Sequence, residues 1–173
     1  MKAAFDLCQE RGYGGVTIEA IAARAGVGKQ TIYRWWPSRG AVVLDVFTDV
    51  LMQRAGVPGS HDVRADMSNQ VHALASVLAD TTVGPHIAGL IGEAQTDRAL
   101  AHELDERFVS PARSAIHDRL SQAKQEGQLD PEANTEVMAD ALFAPIWLRL
   151  LVTGDSITHQ YADAVVEAIM GRL

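Results

Sequence analysis

The stretch from Thr17 to Arg39, TIEAIAARAGVGKQTIYRWWPSR, limits what this chain can fold into more than any other. Ile18, Ile21, Ala22 and Ala25 fall at i, i+3, i+4 and i+7, which makes one apolar face of a short helix. Thr17 stands ahead of them as an N-cap, and Glu19 puts a negative charge where the helix dipole favours it. Gly26 supplies the backbone freedom that a tight turn needs. A second short helix follows, with Ile32 and Trp36 turned inward and Pro37 closing it. Two short helices about a glycine turn make a helix-turn-helix, whose second helix can lie in the DNA major groove.

That second helix offers the chemistry the groove asks for. Lys29, Gln30, Thr31, Tyr33, Arg34 and Trp35 bring positive charge, amide and hydroxyl groups and aromatic area into one segment. Phosphates take cations and donors, base edges take Arg or Gln, and a thymine methyl takes an apolar contact. The competing reading is a surface helix that is basic by chance. Against it stands the coincidence of cap, glycine and polar cluster at the right spacing.

At these residues, ERGYGGVTIEAIAARAGVGKQTIYRWWPSRGAVVLDVF from Glu10 to Phe47, the sequence resembles the TetR family of one-component transcriptional regulators. The core of the likeness is Gly26 to Ser38. The resemblance implies a dimeric repressor whose larger C-terminal domain binds a small molecule and then releases DNA. It implies DNA-facing positions at Thr17, Gly28, Lys29, Gln30, Thr31, Tyr33, Arg34, Trp35 and Arg39. Arg39 stands where the family usually has a lysine, aimed at a phosphate. Gly28 replaces a frequent serine cap, Gln30 occupies a position that is usually small, and Gly40 weakens the start of the fourth helix by about 1 kcal/mol.

A chain of 173 residues that is 47% apolar and 6% aromatic suits packed helices with a sizeable core. The net charge of −7 looks wrong for a DNA-binding protein until it is divided. Residues 1–40 hold six Lys/Arg against three acids, +3; the rest holds nine against nineteen, −10. Such asymmetry confines phosphate attraction to one end and makes binding salt-sensitive. A single cysteine, no run of eighteen apolar residues and a polar first helix predict a cytoplasmic protein without a membrane span.

Beyond the head, the pattern predicts helices throughout. The fourth starts near Ser38 and carries Val42, Val43, Val46, Phe47, Val50 and Leu51, ending before a loop at Gly56–Ser60. Others are expected over Val63–Thr82, His86–Gln95, Asp97–Phe108, Ala112–Glu126, from Asp130 to Thr153, and over Ile157–Met170. Ser110-Pro111 and Asp130-Pro131-Glu132 read as cap-and-proline helix starts. The last two helices carry apolar faces wider than one neighbour requires, which predicts a homodimer through a four-helix bundle.

The expected fold is therefore all-α, with a three-helix helix-turn-helix head over 1–46 and a helical ligand-binding and dimerisation domain over 47–173. No nucleophile motif, phosphate loop or local metal-ligand spacing is legible, so no catalytic residue, cofactor or metal is expected. Effector candidates are Met67, His86, Phe108, Phe143 and Trp147, for each of which plain packing is the competing reading. They suggest an apolar or aromatic ligand. The expected partners are palindromic operator DNA, this small molecule and a second copy of the chain. The alternative is a helical ligand-binding or protein-interaction module without sequence-specific DNA binding.

Overall fold

A computed structural model describes residues 1–54 and 60–171, with the side chains of 49–54 left aside. Ten α-helices run through these residues, with no strand among them. The expected contributions of Val50 and Leu51, and the loop residues Gly56 to Gly59, lie outside the described set.

The head is built from α1 (Lys2–Arg11), a 3-10 turn (Tyr13–Gly15), α2 (Ile18–Ala25) and α3 (Lys29–Tyr33). Ala4, Leu7 and Cys8 of α1, Ile18, Ile21 and Ala22 of α2, and Ile32 of α3 are buried together. Thr17 Oγ1 accepts from the amide of Ala20 at 3.1 Å, which satisfies one orphan donor of α2. Gly26 takes φ 68° and ψ 30°, and the amide of Val27 closes on the carbonyl of Ala22 at 3.0 Å. This left-handed residue ends α2 and opens the turn into α3.

Helix α4 (Arg39–Arg54) runs unbroken past residue 46 and joins head to body. Ser38 Oγ caps it by accepting from the amide of Ala41 at 3.1 Å. Val42, Val43, Leu44, Val46 and Phe47 are all buried, so α4 is wrapped on several sides. Phe47 meets Phe5 of α1 at 6.4 Å between ring centroids and stacks on His86 at 5.7 Å. One ring thus bridges the core of the head and the core of the body.

The body comprises α5 (Val63–Ala79), α6 (Gly84–Ala94), α7 (Arg98–Leu104), α8 (Ser110–Gln125), α9 (Thr135–Leu148) and α10 (His159–Met170). Helix α5 lies in the middle, packed on α4, α6, α8, α9 and α10. Its start is pinned by an internal ion pair, Arg119 Nε to Asp66 Oδ2 at 2.6 Å, with the amide of Ser60 on Asp66 Oδ1 at 2.7 Å.

Several helix boundaries differ from the sequence expectation, and at three of them the local reason is visible. Ser110-Pro111 does not break the chain: α7 passes into α8 through a π-helical turn, Asp105–Val109, and Ser110 Oγ donates to Asp105 Oδ2 at 2.9 Å. The wider turn accommodates a proline that has no amide hydrogen to give. Asp130 closes only a turn, accepting from the amide of Glu132 at 2.8 Å, and α9 is capped by Asn134, which accepts from the amide of Val137 at 3.1 Å. The last helix begins after Thr158, whose Oγ1 accepts from the amide of Tyr161 at 3.1 Å. A second π turn, Arg149–Thr153, carries α9 on to Gly154, which has φ 70°.

Candidate nucleic-acid interface

Helix α3 turns Ile32 inward and leaves its other side chains in solvent. Thr17, Gly28, Lys29, Gln30, Thr31, Tyr33, Arg34 and Trp35 are all exposed. Two large rings stand in water here, Tyr33 at 52% and Trp35 at 70% exposure. Burial of such area is normally favourable, so rings left open beside cations make this a candidate contact surface. The guanidinium of Arg34 sits 5.9 Å from the Trp35 ring centroid, which keeps charge and aromatic face together.

Two cations of the head, Lys29 and Arg24, have exposed carboxylate partners. Lys29 Nζ donates to Glu19 Oε1 at 2.6 Å, and this hydrogen bond holds the Glu19 carboxyl below the usual range. Arg24 forks onto both oxygens of Glu10, at 2.8 and 2.6 Å. Such exposed pairs break readily when a phosphate offers a better partner.

Arg39 is placed differently from its neighbours in the motif. It is half-buried and turned into the protein, donating to Glu93 Oε2 of α6 from Nε at 3.0 Å and from Nη2 at 2.6 Å. Nη1 reaches the carbonyls of Gly14 and Val16, at 3.4 and 3.2 Å. The guanidinium lies 5.1 Å from the ring centroid of buried Tyr13. Burial, with the nearby Glu93 charge second, pushes the ionisation of that phenol well up. In this conformation Arg39 is a strut between head and body, not a free cation.

Residues 1–46 match the family described as bacterial regulatory proteins, tetR family, and residues 57–169 match the tetracyclin repressor-like C-terminal domain. The chain belongs to the TetR family. It is 37% identical to the HTH-type transcriptional regulator YdeS of Bacillus subtilis, over 99% of this chain and 86% of that protein. It is 29% identical to the HTH-type regulator Rv1556 of Mycobacterium tuberculosis, over 95% and 80% of the two chains. Among solved structures, the TetR family regulator SCO0332 superposes with a TM-score of 0.82 and 32% identity, over 99% of this chain and 94% of that one. FadR of Thermus thermophilus, solved in complex with lauroyl-CoA, shares the fold at a TM-score of 0.71 and 19% identity, over 98% and 90%.

In this TetR-family regulator none of the five effector candidates lines either of two open depressions found among the described residues of the body. Met67 is fully buried, and Phe108, Phe143 and Trp147 are partly buried against the core. His86 is buried with Nδ1 lacking a hydrogen-bond partner, and burial lowers its pKa. Two depressions on the body, of about 290 and 340 Å³, are open grooves lined by other residues, Arg113 and His117 in one and Arg64 and Asp163 in the other.

Along α9 and the π turn that follows it an apolar stripe is exposed. Val137, Leu148, Leu151 and Val152 are 60%, 49%, 42% and 74% exposed, while Leu142 and Ile146 of the same helix are fully buried. Helix α9 and the π turn that continues it therefore have two apolar faces, one of which no described residue covers. Beside it, α10 exposes the small side chains of Ala164 and Ala168.

Two groupings had no sequence signal because their members lie far apart in the chain. Arg39 and Glu93 form one. The other joins α5 to α10, where His72 Nδ1 meets His159 Nδ1 at 2.9 Å and His72 Nε2 meets Asp163 Oδ1 at 2.7 Å. Among the described residues, no group of three or more His, Cys, Asp or Glu has a metal-holding geometry. No single described helix is long and apolar enough to cross a membrane.

Proposed function

We propose that this TetR-family chain is a cytoplasmic homodimeric repressor that binds a near-palindromic operator and is released by a small molecule. The observation that carries this reading is the solvent-exposed array Lys29, Gln30, Thr31, Tyr33, Arg34 and Trp35, on a helix that buries only Ile32. In the proposed complex Gln30 and Arg34 read base edges, Tyr33 and Trp35 press on backbone and methyl groups, and Thr17, Gly28, Lys29 and Thr31 hold phosphates. Arg39 joins the phosphate contacts only after leaving Glu93.

The uncovered stripe on α9, with α10 beside it, is the proposed two-fold interface. Pairing two copies there sets two recognition helices about one helical turn, roughly 34 Å, apart. The effector is proposed to be apolar or aromatic and to open space among Met67, His86, Phe108, Phe143 and Trp147. The unpartnered His86 Nδ1 is the polar group that would orient it. The lauroyl-CoA bound by Thermus thermophilus FadR accords with an apolar ligand in such a body.

The test is a titration on DNA from upstream of the chain's own gene, against a scrambled duplex, at low and moderate salt. Specific binding that weakens steeply with salt supports the reading. Equal affinity for both duplexes leaves the alternative, a helical ligand-binding or interaction module without sequence-specific DNA binding.

A further inference from the structure

Trp36 ends the segment that contains the recognition helix, with its amide on the carbonyl of Ile32 at 3.0 Å. Its indole Nε1 donates to Asp45 Oδ2 of α4 at 2.5 Å. The other oxygen of Asp45 pairs with Nη2 of Arg107. Arg107 belongs to the body, in the π-helical turn Asp105–Val109 between α7 and α8. One carboxylate is thus shared between an indole at the foot of the recognition helix and a guanidinium from the other half of the chain.

The chemistry leaves no ambiguity about direction. Indole and guanidinium only donate, and an ionised carboxylate only accepts. Asp45 and Trp36 are both part-buried, so a charge left there without Arg107 would be poorly solvated. A π turn rotates the side chains beyond it relative to a regular helix. Here that turn offers Arg107 to Asp45 while its neighbour Phe108 packs against the body core.

We propose that Arg107 and Asp45 are positioning residues for DNA recognition, fixing the Trp36 indole and, through it, the tilt of the recognition helix on α4. This rests on the reading of the chain as an operator-binding protein. Neither residue touches DNA in this arrangement. Their effect is on the geometry of the residues that do.

The experiment uses the full chain labelled with 15N, whose three tryptophans give three indole resonances, together with operator titrations of the same samples. Arg107→Gln and Asp45→Asn are expected to shift the Trp36 indole signal and leave those of Trp35 and Trp147 in place. Operator affinity should fall about tenfold with an unchanged salt slope, since no phosphate contact is lost. Arg107→Lys should restore most of the affinity, and the double variant should bind no worse than Asp45→Asn alone. An unmoved Trp36 signal in Arg107→Gln, or full affinity in a variant whose signal has moved, overturns the proposal. Absence of specific binding by the unsubstituted chain sinks the operator reading and this role together. Normal binding by that chain and by Arg107→Gln alike sinks this role alone.

Discussion

Arg39 and Glu93 form a two-donor ion pair, 3.0 Å from Nε and 2.6 Å from Nη2 to one carboxylate oxygen, that ties the first residue of α4 to α6. The same guanidinium holds the carbonyls of Gly14 and Val16, the turn that feeds α2. One side chain therefore sets the helix-turn-helix against the body.

Glu93→Gln is expected to lower stability by about 1 kcal/mol. A charge-assisted bond is worth more when fully buried, but a third of the arginine side chain is open to water here. Arg39→Ala should cost more, because the two carbonyls lose their donor as well. Urea unfolding of the three proteins checks the order.

Gly89 lies against the Tyr13 ring, and a Cβ there would stand 2.7 Å from two ring atoms. Gly40 is similarly close to Leu100, but to the far end of a flexible side chain, at 2.6 Å. Gly89→Ala should therefore destabilise by roughly 1–3 kcal/mol by pushing the head from α6. Gly40→Ala should be milder, its clash partly offset by better helix propensity. Thermal denaturation of the pair gives the ranking.

The buried His86 imidazole has a lowered pKa because burial disfavours its charged form. Above the ordinary imidazole pKa of about 6.5, folded and unfolded chains are both neutral at this position and it costs nothing. Below it the unfolded chain takes up a proton that the folded chain resists, so stability is lost as pH falls, until the folded imidazole also protonates. Melting temperatures at about pH 7.5 and 5.5 should fall more for the unsubstituted protein than for His86→Gln.

Val152 is 74% exposed in the single chain, so Val152→Glu should leave the protomer folded. Across the proposed two-fold axis it would set like charges into an apolar contact. Sedimentation is expected to show a dimer for the unsubstituted chain and a monomer for the variant, with specific DNA binding lost in step.

The parts of this fold that were legible in the sequence are those governed by neighbours in the chain. Thr17, Gly26 and Ser38 act through residues at most five positions away, and the head follows from them. Ser110-Pro111 obeyed the same local rules and still misled, because a π turn absorbs the proline without breaking the helix. Asp130 lost to Asn134 as the cap of α9. Arg39 carried the right charge at the right motif position, but its partner on α6 leaves no mark on the local pattern. Of the effector candidates, Met67, Phe108, Phe143 and Trp147 were readable chiefly as apolar or aromatic residues, a property they share with the surrounding core.

The most direct measurement is a hydroxyl-radical footprint of the protein on DNA from upstream of its own gene. Two protected patches about one helical turn apart are expected, both lost in Tyr33→Ala/Arg34→Ala while the fold persists. A single patch, or protection that survives loss of both side chains, would contradict recognition by paired α3 helices.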